Sequence, residues 1–168
     1  AATRLGVEAE EAAAALAHFR GVGRRFEALG ELGGALVVDD YAHHPTEVAA
    51  ALTAARRGWP DRRLVAIFQP HLFSRTRDFM DDFAQALTVA DVIIVADIYA
   101  AREDPIPGVS AEHLADKVAA LVPDRFVRFV PEKEEIERLV RELARPDDLI
   151  ITLGAGDIRH VAEELATL

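Results

Sequence analysis

The sequence predicts an α/β fold, a Rossmann-like and mostly parallel sheet of about six strands with helices on both faces. Three observations carry this expectation. The five-residue apolar runs Leu64–Phe68, Val92–Ala96 and Leu149–Leu153 read as strands buried on both faces. Stretches with apolar side chains at helical spacing alternate with them. Two strand-like segments meet at Gly33-Gly34, a tight turn that implies one antiparallel strand at an edge.

The elements follow in order. Glu8 to Phe19 is alanine-rich, with Leu16 and Phe19 on one side, and predicts a helix. Residues 1–20 thus read as a helix connecting to something upstream. Arg24–Leu32 and Ala35–Asp40 predict the hairpin strands. Pro45 suits the first position of a helix reaching about Arg57. After the strand Leu64–Phe68, Phe79, Phe83 and Leu87 mark a helix over Arg77–Leu87. The strand Val92–Ala96 follows. Ser110 is placed to cap a helix whose core face carries Leu114, Val118 and Leu121. Phe126–Val130 is a short strand, and Pro131 opens a helix with Ile136, Leu139, Val140 and Leu143 inward. Leu149–Leu153 is the last strand, and Gly154-Ala155-Gly156 turns it into a final helix.

At 168 residues and 18.3 kDa the chain is the length of one domain, able to bury roughly 70% of its unfolded surface. The 19 basic and 29 acidic side chains give a net charge of −10, which argues against sequence-independent nucleic-acid binding. A few arginines in one cleft can still hold phosphates. Cysteine is absent, which excludes disulfides, thiolate catalysis and cysteine-ligated metals. No apolar run approaches a membrane span and no secretory leader opens the chain. A cytoplasmic protein without membrane or nucleic-acid partners is expected.

In open α/β sheets, ligands collect outside the carboxyl ends of the strands. Four such loops concentrate chemistry here: Asp39 to Pro45, Gln69 to Thr76, Asp97 to Asp104, and Gly154 to Asp157. Turn-only loops are shorter and richer in Gly, Asn and Ser. Each piece has a plainer alternative. His43 and His44 either face a ligand or cap the helix at Pro45. Asp39 and Asp40 point to opposite faces of a strand, so one of them can meet a given ligand. The same alternation separates Arg24 from Arg25. Gly154-Ala155-Gly156 lacks the third glycine of a dinucleotide loop, with Arg159 in its place. Arg102-Glu103-Asp104 can be a surface salt-bridge cluster. No H-x-x-x-H or H-E-x-x-H spacing occurs, so no metal site is expected. There is no Gly-x-x-x-x-Gly-Lys-Ser/Thr loop, and this chain cannot cradle a triphosphate as a P-loop enzyme does.

Several runs together carry a resemblance. They are Arg24-Arg25-Phe26-Glu27, Asp39-Asp40-Tyr41-Ala42-His43-His44-Pro45-Thr46-Glu47, Phe68-Gln69-Pro70-His71 with Ser74-Arg75-Thr76, and Asp97-Ile98-Tyr99 with Glu103 and Pro105-Ile106-Pro107-Gly108. The chain resembles the C-terminal domain of the Mur ligases over nearly its whole length, from Phe19 to Ile158. The Phe-Gln-Pro-His and Arg-Thr run is closest to the branch that joins L-alanine to UDP-N-acetylmuramate. A sister that attaches recycled murein tripeptide shares the double histidine.

The resemblance implies a single domain, residues 1–168, serving as the amino-acid-binding domain of a three-domain ADP-forming ligase. UDP-N-acetylmuramate, ATP and Mg2+ would be held mainly by two domains absent from this chain. The substrate carboxylate would form an acyl phosphate, which the alanine amine then attacks. Arg25 matches the family arginine reaching nucleotide phosphates, and Asp40 the aspartate near the ATP ribose. Tyr41 and His43 match positions that shape the amino-acid pocket. His71 and Arg75 match positions near the amino-acid carboxylate and the reaction centre, where an arginine fork suits a carboxylate. The family commonly carries arginine directly after this histidine, whereas Leu72 stands here; Arg77 and Arg102 are candidate substitutes. Two other readings stay open: a self-contained nucleotide- or amino-acid-binding module, and a small hydrolase using His43, His71 and Asp40 or a metal held by them.

Overall fold

In the computed structural model, residues 6–17 and 22–167 are described. The strands are β1 (Glu27–Leu32), β2 (Ala35–Asp40), β3 (Arg63–Phe68), β4 (Val92–Val95), β5 (Phe126–Phe129) and β6 (Asp148–Leu153). They form one sheet in the order β1-β2-β6-β3-β4-β5. Only β1 runs antiparallel, paired to β2 through Gly33 and Gly34. Both glycines have positive φ, 56° and 95°, as a two-residue hairpin turn requires.

The helices are α1 (Ala9–Ala17), α2 (Pro45–Gly58), α3 (Phe73–Asp78), α4 (Met80–Leu87), α5 (Ala111–Leu121), α6 (Lys133–Leu143) and α7 (Arg159–Ala166). Alternation along the buried strands divides the core in two. Leu64, Ala66, Phe68, Ile93, Val95, Leu149 and Ile151 pack with α2, α4 and α5 on one face. Val65, Ile67, Ile94 and Ile150 pack with α6 and α7 on the other. Strands apolar on both sides therefore need helices on both sides.

Five expectations are corrected. β1 begins at Glu27 rather than Arg24, because Arg24 and Phe26 take positive φ of 59° and 49°. The helix expected from Arg77 starts at Phe73 and breaks at Phe79, whose φ of −121° and ψ of 23° leave the helical region. Leu121, the last residue of α5, is 51% exposed rather than core. α6 begins at Lys133, two residues after Pro131. Of its expected inward residues, Ile136 and Val140 are buried, while Leu139 packs partly buried at the margin. α1 is exposed at most of its described positions; Phe19, the side chain of Leu16 and residues 1–5 and 18–20 of the expected connecting helix lie outside the described residues.

Parallel strands β3 and β6 start side by side, with Arg63 opposite Asp148. The guanidinium and carboxylate meet through two bonds of 2.8 and 2.7 Å, and Asp148 is fully buried. Asp148 also accepts from the Arg145 amide at 2.8 Å. Asp148→Ala should lower the unfolding free energy by about 3 kcal/mol, the lower range for a broken buried pair, since Arg63 keeps some solvent contact. The drop should appear as a lower urea midpoint at constant m value.

Candidate functional site

β6 sends its following helix, α7, to one face of the sheet, while its neighbours β2 and β3 send α2 and the α3–α4 pair to the other. Connections that diverge in this way open a crevice at the strand carboxyl ends. Gln69 and Gly154 meet at its floor. Gln69 donates from its backbone to Leu153 O at 2.9 Å. Its side chain donates to Asp157 at 2.8 Å and accepts from Ile158 N at 3.2 Å.

Asp39, at the end of β2, is fully buried. It accepts from Arg24 Nε at 3.2 Å, Arg159 at 3.1 Å and the Thr152 hydroxyl at 2.8 Å. Arg159 also donates to Glu27 at 2.7 Å, which with its bond to Glu163 holds its pKa above even the ordinary arginine value. Arg24 reaches onward to the carbonyls of Gly154 and Gly156, at 2.9 and 3.4 Å. Its guanidinium lies 4.6 Å from the centre of the Tyr41 ring, within cation–π range. Of the two adjacent arginines, Arg24 is thus spent inside the fold. Arg25 is exposed and has no carboxylate partner among the described residues.

Asp40 is 7% exposed, and its two oxygens accept from the amides of Phe26 and Ala42, each at 2.8 Å. Burial raises its pKa, against those two amides and the charge of Arg25. The carboxylate ties the turn entering β1 to the loop leaving β2, from which Tyr41 and His43 project.

The double histidine divides its labour. His44 caps α2, its Nδ1 accepting from Thr46 N at 3.4 Å, and Glu47 returns the bond to the His44 amide in a capping box. The ring of His44 rests on Phe79, 4.8 Å between centres. His43 instead turns its Nδ1 to the Tyr41 carbonyl at 2.9 Å, with Glu47 at 3.3 Å. A donating Nδ1–H leaves Nε2 as an acceptor.

His71 stands opposite, its ring 6.0 Å from that of His43 and steeply inclined at 66°. On its other side it stacks with Tyr99, at 5.6 Å and 18°. Arg75 Nη1 lies 3.5 Å from His71 Nδ1. Burial lowers the His71 pKa, helped by the charge of Arg75 and, when the His43 ring is protonated, by that ring, and opposed by Glu103. The imidazole is neutral at pH 7. Leu72, the N-cap of α3, has a φ of +71° and offers no side-chain cap. Glu103 fills that role from the next loop, accepting from the Ser74 amide at 2.9 Å and from its hydroxyl.

A family model described as Mur ligase, glutamate ligase domain, matches residues 24–156. The chain belongs to the Mur ligase family. It is 50% identical over 153 residues to the UDP-N-acetylmuramate–L-alanine ligase of Salinibacter ruber, covering 91% of this chain and 32% of that protein. With the enzyme of the same name from Cutibacterium acnes it is 50% identical over 98% of its length and 35% of the other. The chain thus spans about a third of the relatives it matches. Among solved structures, the UDP-N-acetylmuramate–alanine ligase of Thermotoga maritima superposes with a TM-score of 0.78 at 28% identity, over 98% of this chain and 34% of that one. A murein peptide ligase from Psychrobacter arcticus gives 0.71 at 27% identity, over 98% and 33%.

In this Mur ligase domain the candidate residues Tyr41, His43, His71 and Arg75 form one rim, and Arg25 with Asp40 stand beside Tyr41. Arg75 sits inside α3 rather than before a helix, and no carboxylate pairs with it among the described residues. Asp78 pairs with Arg77 instead, at 2.7 Å. Arg77 and Arg102, the candidate substitutes for the arginine expected at Leu72, are both exposed. The roles of Asp39, Arg159, Glu103 and Tyr99 went unread in the sequence. Only the crowding at Gly156 left a trace there, as a glycine the turn itself does not require.

Arg75→Ala should raise the His71 pKa toward the ordinary imidazole value, and Glu103→Gln should lower it further, by NMR titration of the ring protons. A depressed histidine binds fewer protons folded than unfolded, so its contribution is complete above pH about 6.5 and declines as the pH falls below it. Arg75→Ala should make that decline shallower.

Proposed function

We propose that this chain is the C-terminal, amino-acid-binding domain of a three-domain cytoplasmic ligase. The ligase joins L-alanine to UDP-N-acetylmuramate, consuming ATP and releasing ADP, in peptidoglycan precursor synthesis. The observation carrying this reading is identity at half of all positions, over nearly the whole chain, to proteins bearing that name. The rim supports it.

Arg75, in no carboxylate ion pair among the described residues, offers a planar fork for the amino-acid carboxylate. The Nε2 of His43 is an acceptor suited to the amino group, and the Tyr41 ring limits the side-chain space beside it. Neutral His71 adds no second positive charge next to Arg75, so a proton at its Nε2 can bond to substrate without repelling the amine. Arg25, exposed and unpaired, is suited to nucleotide phosphates. Asp40 acts first as the clamp of the Tyr41 loop, and its remaining lone pairs are suited to ribose hydroxyls. ATP supplies the phosphoryl group that activates the substrate carboxylate as an acyl phosphate. By the family resemblance, Mg2+ and most of the nucleotide are assigned to the domains that precede this one. Closure of the rim onto them excludes water from the acyl phosphate. The likeness to the murein peptide ligase favours a second reading, in which the accepted amine belongs to a tripeptide.

With its upstream domains attached, the protein should release ADP only when L-alanine and UDP-N-acetylmuramate are both present. Release with the tripeptide and not with alanine would move the assignment to the second reading. The chain by itself should release none. Arg75→Ala should cost about 100-fold or more in activity, and Arg75→Lys should recover part of it. Tyr41→Ala should weaken discrimination against valine by a factor within the roughly 10–200-fold that one methylene is worth, leaving the nucleotide KM unchanged.

A further inference from the structure

We propose that Tyr99 is a positioning residue whose ring, backed by Gly156, fixes the plane of the His71 imidazole on the rim.

The stack differs from its neighbours in kind. Tyr41 meets His43 at 75° and His43 meets His71 at 66°, both edge-on, whereas Tyr99 and His71 lie within 18° of parallel. The backbone prepares that pairing. His71 and Tyr99 form an isolated parallel bridge beyond the ends of β3 and β4. Leu72 N donates to Tyr99 O at 2.9 Å and Tyr99 N to Pro70 O at 2.8 Å. Two bonds in one register thus present the two side chains side by side.

Gly156 also closes on the tyrosine. A Cβ on Gly156 would fall 2.6 and 2.8 Å from Cγ and Cδ2 of Tyr99, closer than real Cβ atoms approach, so the ring abuts the Gly156 backbone. That backbone cannot retreat, because Arg24 holds the carbonyls of Gly154 and Gly156. The contacts close into a ring: Arg24, the Gly154–Gly156 loop, Tyr99, His71, His43, Tyr41 and back to Arg24. Stability does not account for Tyr99. It is 37% exposed and belongs to neither core cluster. Its position next to His71 does, since a rotated imidazole would carry its Nδ1 away from Arg75.

That the oriented imidazole serves the amino acid rests on the proposed function; the orientation itself does not. The test is NMR on this chain. Tyr99→Ala and Tyr99→Leu should both move the His71 ring-proton shifts, lose the Tyr99–His71 cross-peaks' constraint on ring orientation, and raise the His71 pKa by several tenths of a unit as the ring becomes better solvated. Tyr99→Phe should restore all of these. Unchanged His71 shifts and pKa in folded Tyr99→Ala would overturn the proposal, as would a leucine that preserves them, because apolar volume would then suffice without a planar ring. In the ligase with its upstream domains, Tyr99→Ala should raise the alanine KM about 10- to 100-fold, the range a misplacement near 1 Å produces, at constant ATP KM. A shifted His71 with unchanged alanine KM would leave the positioning intact and count against the amino-acid reading alone.

Discussion

Asp39 is a charged group with no solvent contact, a placement that is costly unless every lone pair is answered. Here the answers come from three separate stretches of chain: the turn before β1 through Arg24, β6 through Thr152, and α7 through Arg159. The carboxylate thereby sets where α7 sits over the β1–β2 edge and where Arg24 extends. Arg24 in turn fixes the Gly154–Gly156 loop and lies over Tyr41. Replacing the cluster by apolar residues would serve packing as well, but would leave nothing to hold the crevice walls in register.

Around that anchor, charge is sorted by use. The protein carries a net charge of −10, yet Arg25 and Arg75 remain without carboxylate partners among the described residues, while most other partly buried cations are paired. Lys133 meets Asp157 at 2.8 Å, for example. Burial alone would raise the Asp157 pKa; hydrogen bonds from Lys133 and Gln69 and the charge of Lys133 outweigh it and bring the pKa below its ordinary value. The Lys133–Asp157 pair lies below the crevice, and Arg25 and Arg75 stand at its mouth without an ion pair among the described residues.

Most of the fold was legible because it is written in period. Leu64–Phe68 and Leu149–Leu153 have no alternative to double burial, and Gly33-Gly34 permits little but a hairpin. What failed were boundaries set by special backbone. The left-handed φ of Arg24, Phe26 and Leu72 is held by distant partners such as Asp40 and by the bridge to Tyr99, and no local pattern announces it. The rim was legible as a set of loops. His43 and His44 show the limit: adjacent and identical, they diverge because the α2 N-terminus claims one and the Tyr41 carbonyl the other. Which of Arg24 and Arg25 turns inward likewise depends on Asp39 being buried, a fact of the third dimension.

The bond from Arg24 to the Gly154 carbonyl joins residues 130 positions apart. Closing so long a loop costs chain entropy before any contact repays it, and sheets built from such distant pairings order slowly. The β1–β2 hairpin and the β3–β4 unit can form from neighbouring sequence, but the crevice has no walls until β6 has entered the middle of the sheet between β2 and β3. A nascent chain therefore carries the Tyr41 and His71 loops until residue 153 has been made without a site for them to make. The loops of the crevice are thus brought together by the same strand that joins the two halves of the sheet.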